Sequence, residues 1–88
     1  MRARITVTLK SGVLDPQGKA IEGSLDSLGI SGIRSVRQGK VFDIELDAAD
    51  ADTAQRLLSV ACEKLLANTV IERYQIELDG PRDESTAS

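Results

Sequence analysis

The chain has 88 residues, a formal charge of −3, one cysteine and no histidine. That length holds a single domain. Its acidity, with one Tyr, one Phe and no Trp, argues against a nucleic-acid module, which needs a basic surface and stacking aromatics.

No apolar run nears the roughly 20 residues of a membrane span. The start, Met1-Arg2-Ala3-Arg4, lacks the apolar block of an export signal. A lone Cys suits neither a disulfide framework nor, without His, a zinc site. The expectation is a cytoplasmic protein with no membrane partner, no nucleic-acid partner, no metal and no cofactor of its own. Without His, the commonest general base is missing, so no catalytic residue is expected either. The core must be aliphatic and small, and such a chain suits burial against partners.

Residues 2–10 alternate, with Ala3, Ile5, Val7 and Leu9 on one face, and predict a half-buried strand. Asp15-Pro16 predicts a helix start, with Asp as N-cap and Pro in the first turn. Gly18, Ile21, Leu25 and Leu28 then form one stripe. Gly29 suits the left-handed position that ends the helix, with Ile30 folding back. The helix start could hold an anion, but the Asp15 carboxylate competes for the same N–H groups. Capping by Asp15 and close packing at Gly18 explain the motif without a ligand. Gln17 is left over as a contact for a partner.

Residues 33–47 predict a hairpin with Gln38-Gly39 at its tip. The register pairs Arg37 with Lys40, Val36 with Val41, Arg34 with Asp43 and Ile33 with Ile44. It places Ile33, Phe42, Ile44 and Leu46 on one face. Arg37 and Lys40 then stand opposite each other, which is mildly destabilising. Either the pair recognises an acidic group on a partner, or it is a solvated tip that tolerates the repulsion.

Asp50 or Asp52 caps a second helix, whose apolar face runs through Ala54, Leu57, Leu58, Ala61, Cys62, Leu65 and Leu66. Cys62 lies in that stripe and reads as a small buried hydrophobe rather than a reactive thiol. Asn68 suits the left-handed helix end. From Val70 the period returns to two, with Tyr74, Ile76 and Leu78 inward. Glu72 falls in phase with them. A carboxylate there must be paired, unless it lies past the edge of the core. Lys64 and Arg37 are the cations that could meet it, and the alternative is a group on a partner. Residues 80–88 read as a disordered tail, leaving 1–79 as the domain.

The order β-α-β-β-α-β predicts an α+β fold of the ferredoxin-like, split-βαβ kind, with two helices on one face of an antiparallel sheet. Val36, Val41 and Ile71 leave apolar surface on the other face, which suggests self-association.

Five segments carry a family resemblance: Leu9-Lys10, Val13-Leu14-Asp15-Pro16-Gln17-Gly18-Lys19-Ala20, Leu28-Gly29, Val36-Arg37-Gln38-Gly39-Lys40, and Leu65 through Tyr74. Their order and spacing resemble the PurS family, the small subunit of phosphoribosylformylglycinamidine synthase in purine biosynthesis. The match spans about residues 3–78. It departs from the family at Thr69, where Pro is frequent, and at Ile30-Ser31-Gly32-Ile33, where an aromatic commonly follows Leu-Gly.

The resemblance implies a bridging subunit that forms a dimer or tetramer. Its partners would be a glutaminase subunit, which releases ammonia, and a large synthetase subunit, which spends ATP. The complex would use ATP, Mg and glutamine. Partner contacts are expected at Gln17, Arg37, Lys40, Asn68, Thr69 and Glu72. The rival from another class is an ACT-like amino-acid sensor, which shares the same plan. A ferredoxin-like RNA-binding domain is a third reading.

Overall fold

A computed structural model describes residues 1–79; the tail expected at 80–88 lies outside the described residues. Strand β1 (Arg2–Leu9) is followed by helix α1 (Pro16–Ser27), strand β2 (Lys40–Glu45), helix α2 (Ala51–Ala61), a π-helical turn (Cys62–Leu66) and strand β3 (Glu72–Leu78). The strands form one antiparallel sheet in the order β2-β1-β3. β1 is therefore central, and its alternation is that of the half-buried strand expected.

Register follows the apolar rows. Ile5 lies between Phe42 and Ile76, and Ala3 between Ile44 and Leu78. The other face carries Arg4 against Asp43 at 2.8 Å and Arg2 against Glu45 at 3.2 Å. Both pairs are solvent-exposed and contribute little to stability. Asp43 thus meets Arg4 and not Arg34, which corrects the expected cross-strand pair.

The α+β class, the antiparallel sheet and both helices are as expected. The hairpin over 33–47 is not: only its second half, β2, is a strand, and it pairs with β1. The reason lies in two carboxylates. The Val36 N–H donates to Glu22 Oε2 at 2.7 Å, and the Gln38 N–H donates to Asp15 Oδ2 at 2.8 Å. Residues two apart point their N–H groups to the same side of an extended chain. α1 takes both donors on one side of the segment and so holds it beside the helix instead of against β2. Gly39 is then no hairpin tip but a crossing point, where a Cβ would lie 2.7 Å from the Val7 carbonyl oxygen.

Helix boundaries obey local rules. Asp15 caps α1 by accepting from the Gly18 N–H at 2.9 Å, and Asp50 caps α2 by accepting from the Thr53 N–H at 2.8 Å. Gly29, at φ +82°, closes α1 while the Ile30 N–H donates to the Leu25 carbonyl, the six-to-one bond of a glycine-terminated helix.

The second helix ends differently from expectation. The Ala67 N–H reaches back to the Cys62 carbonyl, and Ala67 is itself extended (φ −130°, ψ 145°). Ala67, not Asn68, leaves the helix, and no left-handed residue is needed.

The buried apolar core is Ala3, Ile5, Val7, Ala54, Leu58, Cys62 and Ala67. It lies between α2 and the β1–β3 half of the sheet. Cys62 is fully buried, and burial raises its thiol pKa, helped by Glu63; it is core filling, as expected. Fully burying a residue such as Ile5 or Val7 contributes roughly 1.5–3 kcal/mol, and few side chains reach that state. The radius of gyration, 16.6 Å, exceeds the about 12 Å of a compact chain of this length.

Gly18 is set against the 36–38 segment so closely that a Cβ there would collide with the Val36 carbonyl oxygen. Gly18→Ala is expected to destabilise the chain by about 1–3 kcal/mol, read as a lower urea midpoint at unchanged slope. An unchanged midpoint would show that the helix and loop are not in contact in solution.

Candidate partner-binding surface at one end of the sheet

The candidate residues gather at one end of the sheet, where β1 stops and both β2 and β3 begin. Lys40 and Glu72 are the first residues of β2 and β3. Asn68 and Thr69 lie in the turn before β3, and the Lys10 N–H donates to the Ile71 carbonyl, fastening that turn to β1. Gln17 and Arg37 arrive through the α1 start and the 36–38 segment.

Asp15 joins those last two. It is 7% exposed, and its two oxygens accept from different elements, Oδ1 from the Gly18 N–H and Oδ2 from the Gln38 N–H. These hydrogen bonds, the one from Gln38 first, hold its carboxyl below the ordinary carboxylate pKa. Glu22 makes the parallel bond to Val36 about two helical turns further on. Its place in the sequence carried a signal: four residues after Gly18, Glu22 interrupts the apolar stripe.

Arg37 is exposed but tied to backbone. Its guanidinium donates to the carbonyls of Leu9, Lys10 and Val13 at 3.2–3.4 Å, closing the end of β1 and the turn that follows. Arg37 and Lys40 therefore do not form the paired basic tip expected of a hairpin. The Gln17 side chain, by contrast, is exposed on the first turn of α1.

Glu72 lies on the apolar face, in the row of Leu9, as its phase predicts. Its side chain is 17% exposed and pairs with Lys40 at 4.0 Å. The other carboxylate oxygen accepts from the Asn68 N–H at 2.7 Å. The cation is Lys40, neither Lys64 nor Arg37, because Lys40 occupies the same inward row opposite Val7. Lys40 Nζ also stands 6.0 Å from the Phe42 ring. The carboxylate thus finds its partners within the chain.

Asn68 organises the turn. Its Oδ1 accepts from the Val70 N–H at 3.2 Å, and its carbonyl accepts from Ile71 and Glu72. Such side-chain closure explains why asparagine suits a tight turn. Thr69 is half-buried within it, and Val70 is left 81% exposed at its tip. The Tyr74 hydroxyl donates to Glu63 at 2.8 Å, tying the π turn to β3.

Among the described residues no group of His, Cys, Asp or Glu is placed to hold a metal ion, and no helix is long and apolar enough to cross a membrane.

Two tests follow from the carboxylates. Acid unfolding should include a contribution from Asp15. Its pKa is lowered on folding, so its stabilisation is full above the ordinary value of about 4 and is lost as pH falls through the folded value. Asp15→Asn should be less stable at neutral pH and flatter in that acid range, with the contributions of Asp43 and Asp50 retained; an identical acid profile would contradict this. Glu72→Ala removes the acceptor of the Asn68 N–H and is expected to cost about 0.5–1.5 kcal/mol, whereas Glu72→Gln, which keeps an acceptor, should cost less. Equal losses in thermal unfolding would refute the hydrogen-bond account.

The family model that matches, over residues 2–80, is PurS, phosphoribosylformylglycinamidine (FGAM) synthase. The phosphoribosylformylglycinamidine synthase subunit PurS of Synechocystis is 48% identical over 75 residues, covering 85% of this chain and 75% of that protein. A solved Bacillus subtilis PurS superposes with a TM-score of 0.82 at 40% identity, covering 90% of this chain and 98% of that one. A chain of the PurLQS structure from Thermotoga maritima does so at 0.79 and 33% identity, covering 86% and 93%. The ACT-like reading finds no support in these comparisons. The family match spans residues 2–80, and the chain belongs to the PurS family.

Proposed function

We propose that this chain is a non-catalytic bridging subunit of phosphoribosylformylglycinamidine synthase in de novo purine biosynthesis. It would join a glutaminase subunit to an ATP-dependent synthetase subunit in the cytoplasm. The observation that carries the reading is the family match over residues 2–80, together with the gathering of the candidate residues at one end of the sheet. The likeness to a chain of the Thermotoga maritima PurLQS structure supports it.

In this reading the glutaminase subunit releases ammonia from glutamine. The synthetase subunit uses ATP and Mg to activate an amide oxygen that ammonia then displaces. This chain supplies neither step. It holds the two subunits in register so that ammonia passes between them without loss to solvent. Bridging needs rigid surface rather than reactive groups, and the ties at Asp15, Arg37 and Glu72 make turns rigid. Gln17 and Thr69, with the backbone around Arg37, Lys40, Asn68 and Glu72, are the proposed contacts.

Reconstitution tests the proposal. With large subunit and glutaminase present, leaving out this chain should lower glutamine-dependent turnover by about tenfold or more, a loss of about 1.4 kcal/mol in coupling. Turnover with free ammonia should fall much less. Equal glutamine-dependent rates with and without the chain would sink the proposal.

A further inference from the structure

The sheet end that gathers the candidate residues is also where the charge of the chain changes sign. The chain as a whole is acidic, with a formal charge of −3. At this end Lys10, Arg37, Lys40 and Arg73 outnumber the carboxylates Asp15 and Glu72. At the opposite end Arg2 and Arg4 face Asp43, Glu45, Glu77 and Asp79. Both carboxylates of the basic end are engaged within the fold. Asp15 accepts from two backbone N–H groups, and Glu72 takes Lys40. Lys10 and Arg73 are exposed, as is Lys64 on the π-helical turn, and among the described residues none of the three has an ion-pair partner.

Apolar surface accompanies these cations. Leu65 and Val70 are each 81% exposed, and Ile71 is 38% exposed. Leu65 follows Lys64, Val70 and Ile71 precede Arg73 in the same turn, and the Ile71 carbonyl holds the Lys10 N–H. The turn is held in this projection by the bonds of Asn68 Oδ1 to the Val70 N–H and of Glu72 to the Asn68 N–H. An exposed apolar centre with charge at its rim is the layout of a protein interface.

The chemistry selects the kind of partner. A single nucleic-acid strand asks for aromatic rings to stack on, and the two rings of the chain, Phe42 and Tyr74, are half-buried in the sheet. A free anion has no use for Leu65 and Val70. The same end of a second copy would bring like charges together. A protein surface with an apolar hollow bordered by Asp and Glu satisfies both parts of the patch.

We propose that this end docks an acidic surface of one of the two enzyme partners. Val70 and Leu65 sit in the hollow, and Lys10, Lys64 and Arg73 face carboxylates around it. The inference rests on the bridging reading and adds to it the face that meets a partner and the charge that the partner presents. The rim cations steer encounter and fix orientation, while the apolar centre holds the complex.

Binding kinetics test this. The full chain is immobilised, and the probes are purified glutaminase subunit, purified synthetase subunit and their mixture, in glutamine, Mg and ATP. Lys10→Glu combined with Arg73→Glu should slow association with at least one probe by about tenfold at about 0.05 M salt. Raising the salt to about 0.5 M should slow the unaltered chain and remove most of that difference. Arg56→Glu, a charge reversal on α2, should stay within about twofold of the unaltered chain. Val70→Ser should act on dissociation instead, making it about tenfold faster, the scale of one buried valine side chain. Unchanged association of the double variant, an equal effect of Arg56→Glu, or association of the unaltered chain that ignores salt would overturn the proposal and leave the bridging function standing. A double variant that binds normally but changes its own oligomeric state would also overturn it, because this end would then meet another copy. Binding to none of the three probes would defeat both the proposal and the bridging function.

Discussion

A single carboxylate decides the course of the middle of this chain. Asp15 begins as a helix cap, a role that any Asp before Pro could fill. Because its second oxygen also accepts from the Gln38 N–H, it links the helix start to a backbone segment 23 residues away. Glu22 repeats the device at Val36. Together they divert residues 36–38 away from β2 and onto α1. The width of the sheet, the stand-off of α1 and the path into β2 all follow from that diversion. Gly18 belongs to the same constraint, since only a residue without Cβ lets the helix approach the Val36 carbonyl.

The second node is at Glu72. An in-phase carboxylate on an apolar face costs free energy unless it is paired. Here the pairing comes from Lys40, the neighbouring strand's first residue, and from the Asn68 N–H. The carboxylate therefore ends the core and shapes the turn at once. Its effect is to hold Asn68, Thr69 and Val70 in a fixed projection beyond the sheet. Fixed turns bind with less loss of conformational freedom than mobile ones, which is the property a bridging subunit needs.

The small core completes the picture. Two nodes of hydrogen bonds and ion pairs give the sheet end its shape, but they bury little apolar surface. Leu14, Leu28, Leu65 and Val70 remain more than two-thirds exposed, and a single helix covers the sheet. A chain built in this way depends on association for part of its stability. The features that leave it incomplete are the ones that prepare it for partners.

Much of this was legible in the residues themselves. Period-two and period-3.6 patterns placed β1, β3 and both helices, and Asp15, Asp50 and Gly29 marked helix ends, because each rests on contacts within a few residues. The inward phase of Glu72 was legible for the same reason. The partner of Glu72 was not, since Lys40 becomes its neighbour only when β2 and β3 flank β1. The hairpin over 33–47 satisfied every local rule and still did not form. Whether residues 36–38 lie against β2 or are tied to carboxylates 14 and 23 residues away is a competition between distant groups. Local pattern, by itself, determined both helices, β1 and β3; tertiary structure alone decided where residues 36–38 lie, because the groups that hold them meet only in the folded chain.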